Sequence, residues 1–333
     1  MLAVNTTATQ MGSRLLYACC LLLAAHVSSD TTVRVFSDGG GDFSSLQSAL
    51  NATSGRPVLG RVTLILRGTF RERVIAQNFS HGLDIVPLPG AARPLIIFNV
   101  SGAGGSGCSG AGGPGTFGSY TVQLLSSDTR VRGVDIANSA CGYNHKVAGQ
   151  SVALDVRGDR AAFYDVRLWG SQDTLYTGTQ RAYFADVFVN GSCDAIFGEG
   201  SAVFERAEIR MNFTVTAQKG NGTTAFLFLN STVDTLQGEG GTLVLGRPWG
   251  SLARTVFSGC YLGPGIASTG WNDWGHGCEA GGWCNATFYA GFNNTGPGYV
   301  PTAWPKWTHV LSPSEGALWT VERVLGDWRP SPP

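Results

Sequence analysis

A short motif recurs about every 20 residues through the middle of the chain, a period typical of solenoid repeats. FYDVRL begins at Phe163, FADVFV at Phe184, FERAEI at Phe204 and FSGCYL at Phe257. Each motif has an aromatic residue first, a small or apolar residue three positions later and an aliphatic residue five positions later. The first two intervals between the phenylalanines are nearly equal, and the third is more than twice as long. This period predicts a β-solenoid, in which each turn of the chain buries its inward side chains against the turns above and below.

Short strands are also indicated outside the motif. Apolar segments rich in β-branched and aromatic residues are bounded by Gly, Asn, Asp or Ser. They lie at residues 62–66, 83–88, 95–100, 120–125, 151–156 and 242–246. Only residues 43–52, FSSLQSALNA, have the spacing of an amphipathic helix. We therefore expect an all-β parallel β-helix with one short N-terminal helix. The alternatives are a β-propeller, whose blades are about 40 residues or longer, and a β-sandwich, which has no fixed period.

The first residues have the pattern of a secretory signal. Arg14 precedes an apolar run at residues 15–25, and small residues suitable for cleavage follow before Asp30. We expect residues 1–29 to be removed and residues 30–333 to form a single domain that is secreted from the cell. The alternative is a buried or membrane-anchoring helix, although the run is short for a bilayer span.

Cysteines and glycosylation sequons agree with export. Six cysteines follow the signal pattern, an even number that is compatible with disulfides outside the cytosol. These are Cys108, Cys141, Cys193, Cys260, Cys278 and Cys284. The last two flank CEAGGWC and would close a small loop. The N-x-[ST] sequons begin at Asn51, Asn78, Asn99, Asn190, Asn212, Asn221, Asn230, Asn285 and Asn293.

Composition argues against several classes of function. The chain of 333 residues has 23 basic and 23 acidic residues, so it offers no net charge to attract nucleic acid or anionic lipid. The five histidines are scattered without paired spacing, and no C-x-x-C pair is present. We expect no metal, no organic cofactor, no nucleic-acid partner and no membrane partner.

The period places five polar residues in one column. The interval from Asp173 in GSQDTLY to Asp194 in GSCDAIF equals the interval between the first two phenylalanines of the repeat. Stacked strands lie about 4.8 Å apart, so the two aspartates are predicted to be neighbours on adjacent turns. Gln150 precedes Gln172 by an interval only one position longer, which places it one turn earlier. The interval from Asp194 to Arg247 equals that between the last two phenylalanines, which predicts the same column further along.

This column predicts chemistry suited to ester hydrolysis. Two adjacent carboxyl groups repel when both are ionised, so one of them keeps a proton. The carboxylate paired with Arg247 would be the nucleophile, and the protonated partner the general acid. Gln150 and Gln172 would donate hydrogen bonds to an oxyanion without adding charge. The alternative is that both aspartates only satisfy backbone groups of turns.

Two tryptophans follow the column in Gly-flanked loops. Trp249 lies in LGRPWG and Trp271 in STGWNDWG. Aromatic rings beside an acid/base pair can stack on sugar rings, so we predict that both side chains contact substrate. The alternative is that they belong to the core, which is the commoner place for tryptophan.

Several segments resemble the pectin methylesterase (pectinesterase) family. GQSVAL, GSQDTLYT, CDAIFG and LGRPW occur in the family's order, and TFGSYT, VTAQ and YAGFNNTGPG also agree. The resemblance covers residues 33–328 and implies a right-handed parallel β-helix that hydrolyses methyl esters of polygalacturonate. It implies nucleophile, acid/base and oxyanion roles for Asp194, Asp173 and Gln172 respectively, the last helped by Gln150. Contacts to the sugar are implied for Thr116, Gln150, Arg247 and Trp249.

The resemblance also implies partners and shows departures. The substrate would be methyl-esterified homogalacturonan or a similar uronan, with a proteinaceous inhibitor as a candidate partner, and we expect a monomer. Ala195 stands where the family usually has Phe, so we expect one aromatic wall of the cleft to be missing. A glycan on Asn190 would crowd the cleft. The alternative functions are a β-helix glycosidase or lyase, since paired carboxylates also suit glycoside cleavage, and a non-catalytic wall-binding protein.

Overall fold

The structure is a computed structural model that describes residues 30–55, 60–103, 112–141, 149–236, 240–280 and 282–333. The predicted signal segment, residues 1–29, lies outside the described residues. No helix in these ranges is long and apolar enough to cross a membrane.

Three parallel sheets run the length of the molecule, and the chain visits them in turn. The first sheet, sheet A, has 11 strands and begins each turn of the coil. Its strands are β1 (Thr31–Phe36), β2 (Val62–Arg67), β5 (Leu83–Pro87), β8 (Thr129–Arg132), β11 (Ala161–Tyr164), β14 (Arg181–Ala185), β17 (Ser201–Glu205), β20 (Phe226–Leu229), β23 (Arg254–Ser258), β25 (Phe288–Phe292) and β26 (His309–Val310).

Sheets B and C complete each turn with eight and seven strands. Sheet B comprises β3 (Thr69–Phe70), β6 (Leu95–Phe98), β9 (Asp135–Asn138), β12 (Arg167–Trp169), β15 (Phe188–Asn190), β18 (Glu208–Arg210), β21 (Thr232–Asp234) and β24 (Tyr261–Leu262). Sheet C comprises β4 (Val74–Ala76), β7 (Val122–Leu124), β10 (Leu154–Val156), β13 (Leu175–Tyr176), β16 (Ile196–Gly198), β19 (Thr214–Gln218) and β22 (Val244–Gly246). The predicted parallel β-helix is therefore confirmed.

The helices lie at the two ends of the chain's path. The predicted N-terminal helix is α1 (Leu46–Thr53), which begins after Ser45 and buries Leu46, Ala49 and Leu50. The carboxylate of Glu72 accepts hydrogen bonds from the free backbone N–H groups of its first turn, at 2.7 and 3.1 Å. This negative charge also suits the positive end of the helix dipole. Two short helices, α2 (Pro313–Gly316) and α3 (Val321–Leu325), follow β26, and 3-10 turns occur at Thr116–Gly118, Cys278–Ala280 and Pro301–Ala303.

The repeated phenylalanines form one stack inside sheet A. Phe163, Phe184 and Phe204 are directly paired in the strand register, and their ring centroids are 4.7 and 4.6 Å apart. The stack continues through Phe228 to Phe257 at 4.6 and 4.3 Å. Phe228 lies on an additional turn of the coil within the long interval between Phe204 and Phe257. The segment FLNSTV, which begins at Phe228, fits the motif, but its intervals to Phe204 and Phe257 are longer than those of the preceding turns, so the period did not reveal it.

A second column explains how the chain turns from sheet A to sheet B. From β8 to β25, the residue that follows each sheet A strand has a left-handed backbone, with φ between 49° and 67°. These residues are Gly133, Asp165, Asp186, Arg206, Asn230, Gly259 and Asn293. Gly, Asn and Asp are the residues that adopt this conformation most readily. The backbone N–H groups still bond to the next turn, for example from Asp165 to the Ala185 carbonyl at 3.0 Å, so the corner does not interrupt the ladder.

The cysteines are only partly joined. Cys278 and Cys284 form the predicted disulfide, which closes the loop before β25. Cys141 is also disulfide-bonded. Cys193 and Cys260 are free thiols, and Cys108 lies outside the described residues.

The phenylalanine stack should carry a large share of the stability. Phe204→Ala would leave a cavity between two rings and is expected to lower the free energy of unfolding by about 3–5 kcal/mol. The matched control, Phe213→Ala, removes an exposed ring and should change it by less than about 0.5 kcal/mol. Urea unfolding followed by circular dichroism would compare them. Equal losses would contradict the role assigned to the stack.

Candidate active site

Asp173 and Asp194 lie at the same point on adjacent turns, where sheet B gives way to sheet C. The strands that follow them pair Leu175 with Ile196, the same interval as between the aspartates, and the Asp173 N–H donates to the Cys193 carbonyl at 3.0 Å. Both aspartates have left-handed backbones, with φ of 63° and 49°. Asp tolerates this conformation, so it meets the needs of the turn while holding a carboxyl group at the surface of the coil. The predicted adjacency is confirmed.

The two glutamines occupy the neighbouring turns as predicted. Gln150 and Gln172 are paired by a parallel bridge, and both side chains are half-buried in the wall of the cavity described below. Gln172 immediately precedes Asp173. The amides therefore line the same space as the carboxyl groups.

Arg247 reaches Asp194 from a different column. The sheet C register pairs Ile196 with Thr216 and Thr216 with Gly246, so Arg247 follows the row of Phe197. The predicted shared column is therefore wrong by three positions. The physical reason is that the long interval used for the prediction belongs to sheet A, whereas the loops between the sheets differ in length on these turns. The long guanidinium side chain makes up the difference.

Arg247 holds Asp194 in a fork. Its Nε donates to one carboxylate oxygen at 2.8 Å and its Nη2 to the other at 2.5 Å. The same Nη2 lies 3.2 Å from the Sγ of Cys193. Burial lowers the pKa of Arg247, but its hydrogen bonds and charge attraction to Asp194 outweigh burial, so the pKa is raised. Asp194 is only 3% exposed, and its charge is compensated in a fixed geometry.

Asp173 has the opposite environment. Burial is the main cause that raises its pKa well above the ordinary value, and the negative charge of Asp194 raises it further, while Arg247 opposes both. The guanidinium fork is directed at Asp194 and leaves Asp173 uncompensated. The two carboxyl groups are therefore unequal, because burial favours the protonated form of Asp173 while the Arg247 guanidinium is bonded to Asp194.

Asp173 and Asp194 line a cavity of about 230 Å³, whereas Arg247 lies behind Asp194 and is not part of the cavity wall. Its walls are formed by Thr116, Phe117, Gln150, Gln172, Asp173, Asp194, Phe197, Ala217, Trp249 and Trp274. The predicted residues Thr116 and Trp249 are therefore present. Phe117, which is exposed, stacks edge-on against Tyr176 at 4.9 Å and faces Phe197 at 6.4 Å. The cavity combines aromatic walls with a carboxyl pair, an arrangement suited to a sugar that carries an ester.

The structure corrects the prediction for Trp271. This side chain is 2% exposed and packs edge-on against Tyr289 and Trp304 in the core, so its ring has no free face for a sugar. Trp274, which the sequence analysis missed, takes the place at the cavity instead, and the Arg247 guanidinium lies 3.9 Å from its ring centroid. The Gly-rich loop gave no signal as to which of the two tryptophans would face outward.

The structure also corrects the effects on the cleft that were predicted for Ala195 and for a glycan on Asn190. Ala195 is fully buried among core residues, so an aromatic side chain at this position would point inward rather than form a wall of the cavity. Asn190 is 1% exposed and donates a hydrogen bond to the Arg210 carbonyl at 3.2 Å, so this sequon is inaccessible to a glycan in the folded chain. The sequons at Asn51, Asn78, Asn99, Asn221, Asn230, Asn285 and Asn293 are exposed.

Within the described ranges, no group of three or more His, Cys, Asp or Glu side chains is arranged to hold a metal ion. Cys193, beside the carboxyl pair, is a weak nucleophile because burial and the Asp194 charge raise its thiol pKa to about 11. The oxygen groups of the two aspartates are therefore the candidates for chemistry.

Comparison with known proteins shows the family of this chain. Residues 32–327 match the Pectinesterase family. Pectinesterase 31 from Arabidopsis thaliana is 31% identical over 258 residues, which cover 73% of this chain and 77% of that protein. The structure of pectin methylesterase from carrot is 25% identical, with a TM-score of 0.77, and the match covers 89% of this chain and 94% of that one. A pectin methylesterase in complex with a hexasaccharide, 24% identical, has the same fold with a TM-score of 0.73 over 91% of this chain and 99% of that one.

The family match and the fold define a carboxylic ester hydrolase built on a parallel β-helix. The chain belongs to the Pectinesterase family.

The raised pKa of Asp173 should appear in the pH dependence of stability. The folded state keeps a proton that the unfolded state releases above the ordinary value of 3.8. Stability therefore falls as pH rises from that value to the folded-state pKa. Asp173→Asn mimics the protonated form and tolerates the left-handed backbone. We expect it to be more stable than wild type at neutral pH, on the order of 1 kcal/mol, with little difference below about pH 4.

Urea unfolding at a series of pH values measures this difference. The matched control is Asp186→Asn, since Asp186 is an exposed aspartate that also has a left-handed backbone. The stability of Asp186→Asn relative to wild type should not increase as pH rises. If the gain in the free energy of unfolding of Asp173→Asn over wild type stayed constant with pH, it would contradict the assignment of a raised pKa to Asp173.

Proposed function

We propose that this enzyme hydrolyses methyl esters of polygalacturonate, releases methanol and so modifies cell-wall pectin. The observation that carries the proposal is the unequal pair of carboxyl groups. Asp194 accepts the two hydrogen bonds of the Arg247 fork, and Asp173 is buried beside it with a raised pKa. Such a pair supplies a nucleophile and an acid at one point of an aromatic cavity.

In the first step, a carboxylate oxygen of Asp194 attacks the carbonyl carbon of the ester. The carbonyl oxygen becomes negative and accepts hydrogen bonds from the Gln172 and Gln150 amides. The bond to the methoxy group then breaks as Asp173 gives its proton to the leaving oxygen. Methanol departs, and the galacturonyl group is joined to Asp194 as an anhydride.

In the second step, Asp173 is a carboxylate and acts as the base. It takes a proton from water, and the water oxygen attacks the same carbonyl carbon. The anhydride bond breaks and Asp194 leaves as a carboxylate, again paired with Arg247. The galacturonic acid loses its proton to solvent, and Asp173 is left protonated for the next ester.

The walls of the cavity would hold the sugar. Trp249, Phe117 and Trp274 offer aromatic surface for the faces of pyranose rings. Thr116 contributes a hydroxyl at the edge of the same space. The hexasaccharide complex of a pectin methylesterase with this fold supports an oligosaccharide ligand for the cleft.

We also propose that the enzyme acts outside the cell. The signal pattern at residues 1–29, the disulfide Cys278–Cys284 and the exposed sequons support export. A proteinaceous inhibitor, a monomeric state and occupancy of any one sequon stay predictions.

Methanol release from highly methylated pectin tests the reaction. Asp194→Asn keeps the left-handed turn but removes the nucleophile, so we expect the rate to fall by at least about 10³-fold. The matched control is Asp186→Asn, because Asp186 is also left-handed and also held by an arginine fork, from Arg206 at 2.7 and 3.0 Å. The control should retain wild-type release. Release that survives in a folded Asp194→Asn enzyme would exclude this nucleophile.

Arg247→Lys tests the fork separately. A single ammonium cannot bond both oxygens of Asp194 in parallel, so we expect the turnover number to fall by about 10²-fold. Arg181→Lys is the matched control, since Arg181 makes a similar fork with Asp159, at 3.0 and 2.6 Å, outside the cavity wall. Methanol release measured for both variants would separate a role of the Arg247 fork in turnover from a role in folding. A loss of the same size in the control would mean that the fork matters only for folding.

A further inference from the structure

A second cavity lies near the C-terminal end of the chain, on the outer face of sheet A. It has a volume of about 370 Å³ and is bounded by β23, β25, β26 and helices α2 and α3. We call it the C-terminal groove. Its lining residues are Arg254, Phe288, Thr308, His309, Val310, Leu311, Glu315, Leu318, Trp319 and Arg323. None of them belongs to the catalytic cavity.

Two arginines lie beside one aromatic ring in this groove. The guanidinium carbons of Arg254 and Arg323 lie 5.4 and 5.2 Å from the ring centroid of Trp319. Most arginines in the described ranges have a carboxylate oxygen within 4.0 Å, but neither of these two does. The groove therefore gathers positive charge that no carboxylate of the described chain neutralises directly.

Arg254 is the more confined of the two. Its Nη1 donates to the Gly222 carbonyl at 2.8 Å, but its Nε is buried without a hydrogen-bond partner among the described residues. Burial, and then the charge of Arg323, lower the pKa of Arg254. A buried donor without an acceptor is costly, and two cations without an anion repel. A carboxylate bound in the groove would offset the repulsion between the two cations.

The remaining titratable groups do not supply that carboxylate. Glu315 accepts hydrogen bonds from the N–H and hydroxyl of Ser312, at 2.9 and 2.7 Å, which hold it to the start of α2. His309 is stacked on Phe288, and burial lowers its pKa, so it is mostly neutral at pH 7. The groove thus carries a net positive charge.

Its other walls are aromatic and apolar. His309, Phe288 and Trp319 form one stack, with centroids 4.9 and 5.2 Å apart. Val310 and Leu318 are exposed at the rim. Guanidinium groups bordered by apolar surface suit a ligand that has a carboxylate on a ring with a C–H face, as a uronic acid does.

The groove is linked to the catalytic cavity by the backbone. The Arg254 N–H donates to the Gln218 side chain at 2.7 Å, and Gln218 follows Ala217, a residue of the cavity wall. Trp249, another wall residue, lies shortly before Arg254 in the chain. The groove and the cavity wall are therefore connected through β19 of sheet C and β23 of sheet A.

We propose that the C-terminal groove is a second carbohydrate site that binds the free carboxylates of de-esterified galacturonan, the product of the reaction. The identity of this ligand rests on the proposed function. Binding there would retain the enzyme on polymer that it has already converted. A neutral, fully methylated chain lacks the anion that Arg254 and Arg323 require, so the groove would distinguish product from substrate.

Titration of the ¹⁵N-labelled enzyme with fully de-esterified trigalacturonate tests this proposal. The indole N–H resonance of Trp319, assigned with Trp319→Phe, should shift and saturate. Arg323→Gln, an exposed change on α3, should raise the Kd read at this resonance by at least about tenfold. The matched control is Arg132→Gln, which changes an exposed arginine of sheet A outside the groove and should leave the Kd unchanged. Fully methylated trigalacturonate, added to the inactive Asp194→Asn enzyme so that it is not hydrolysed, should not shift the resonance.

Methanol release measured on the same samples separates the two proposals. Arg323→Gln should release methanol from a short esterified oligomer at the wild-type rate. In the wild-type enzyme, normal methanol release with an unmoved Trp319 resonance would overturn the groove proposal and leave the esterase proposal intact. Absence of methanol release by the wild-type enzyme would count against the esterase proposal itself. Equal binding of poly-glutamate and trigalacturonate would also overturn the groove proposal and point to an acidic polypeptide.

Discussion

The stacking of each turn of the coil directly on the next is the constraint on which the rest of the structure depends. Backbone hydrogen bonds hold neighbouring strands about 4.8 Å apart, so equivalent residues on successive turns become neighbours. Inside sheet A this places Phe184 between Phe163 and Phe204, with centroid distances of 4.7 and 4.6 Å. At the edge of sheet C it places Asp173 beside Asp194. One geometric rule builds both the core and the carboxyl pair.

The corners of the coil explain why aspartate was available for chemistry. A left-handed residue turns the chain at each corner with least strain when it is Gly, Asn or Asp. Asp165 and Asp186 serve such corners at the exposed surface, whereas Asp173 and Asp194 serve the corner that opens into the cavity. Burial raises the pKa of Asp173, whereas Arg247 bonds to both carboxylate oxygens of Asp194. The site therefore exploits a residue type that the fold already uses.

Much of the fold and part of the site follow from periodicity. Strand positions, the short helix and the adjacency of Gln150, Gln172 and the two aspartates depend on a repeat that can be counted along the chain. Arg247 and Phe228 show where counting fails, because loops of unequal length on the turns that hold them change the period. The contact of Arg247 with Asp194 was predicted, but its row in sheet C was not.

The sequence by itself determined the coil and the carboxyl pair, since regular hydrogen bonding converts spacing along the chain into distance in space. Only the tertiary structure decided which side chains of the irregular segments face the cavity. It turned Trp271 into the core and Trp274 outward, buried Asn190, and brought Arg254 and Arg323 together around one ring. The physical reason is that side-chain direction in a loop depends on packing against distant residues rather than on a repeating backbone.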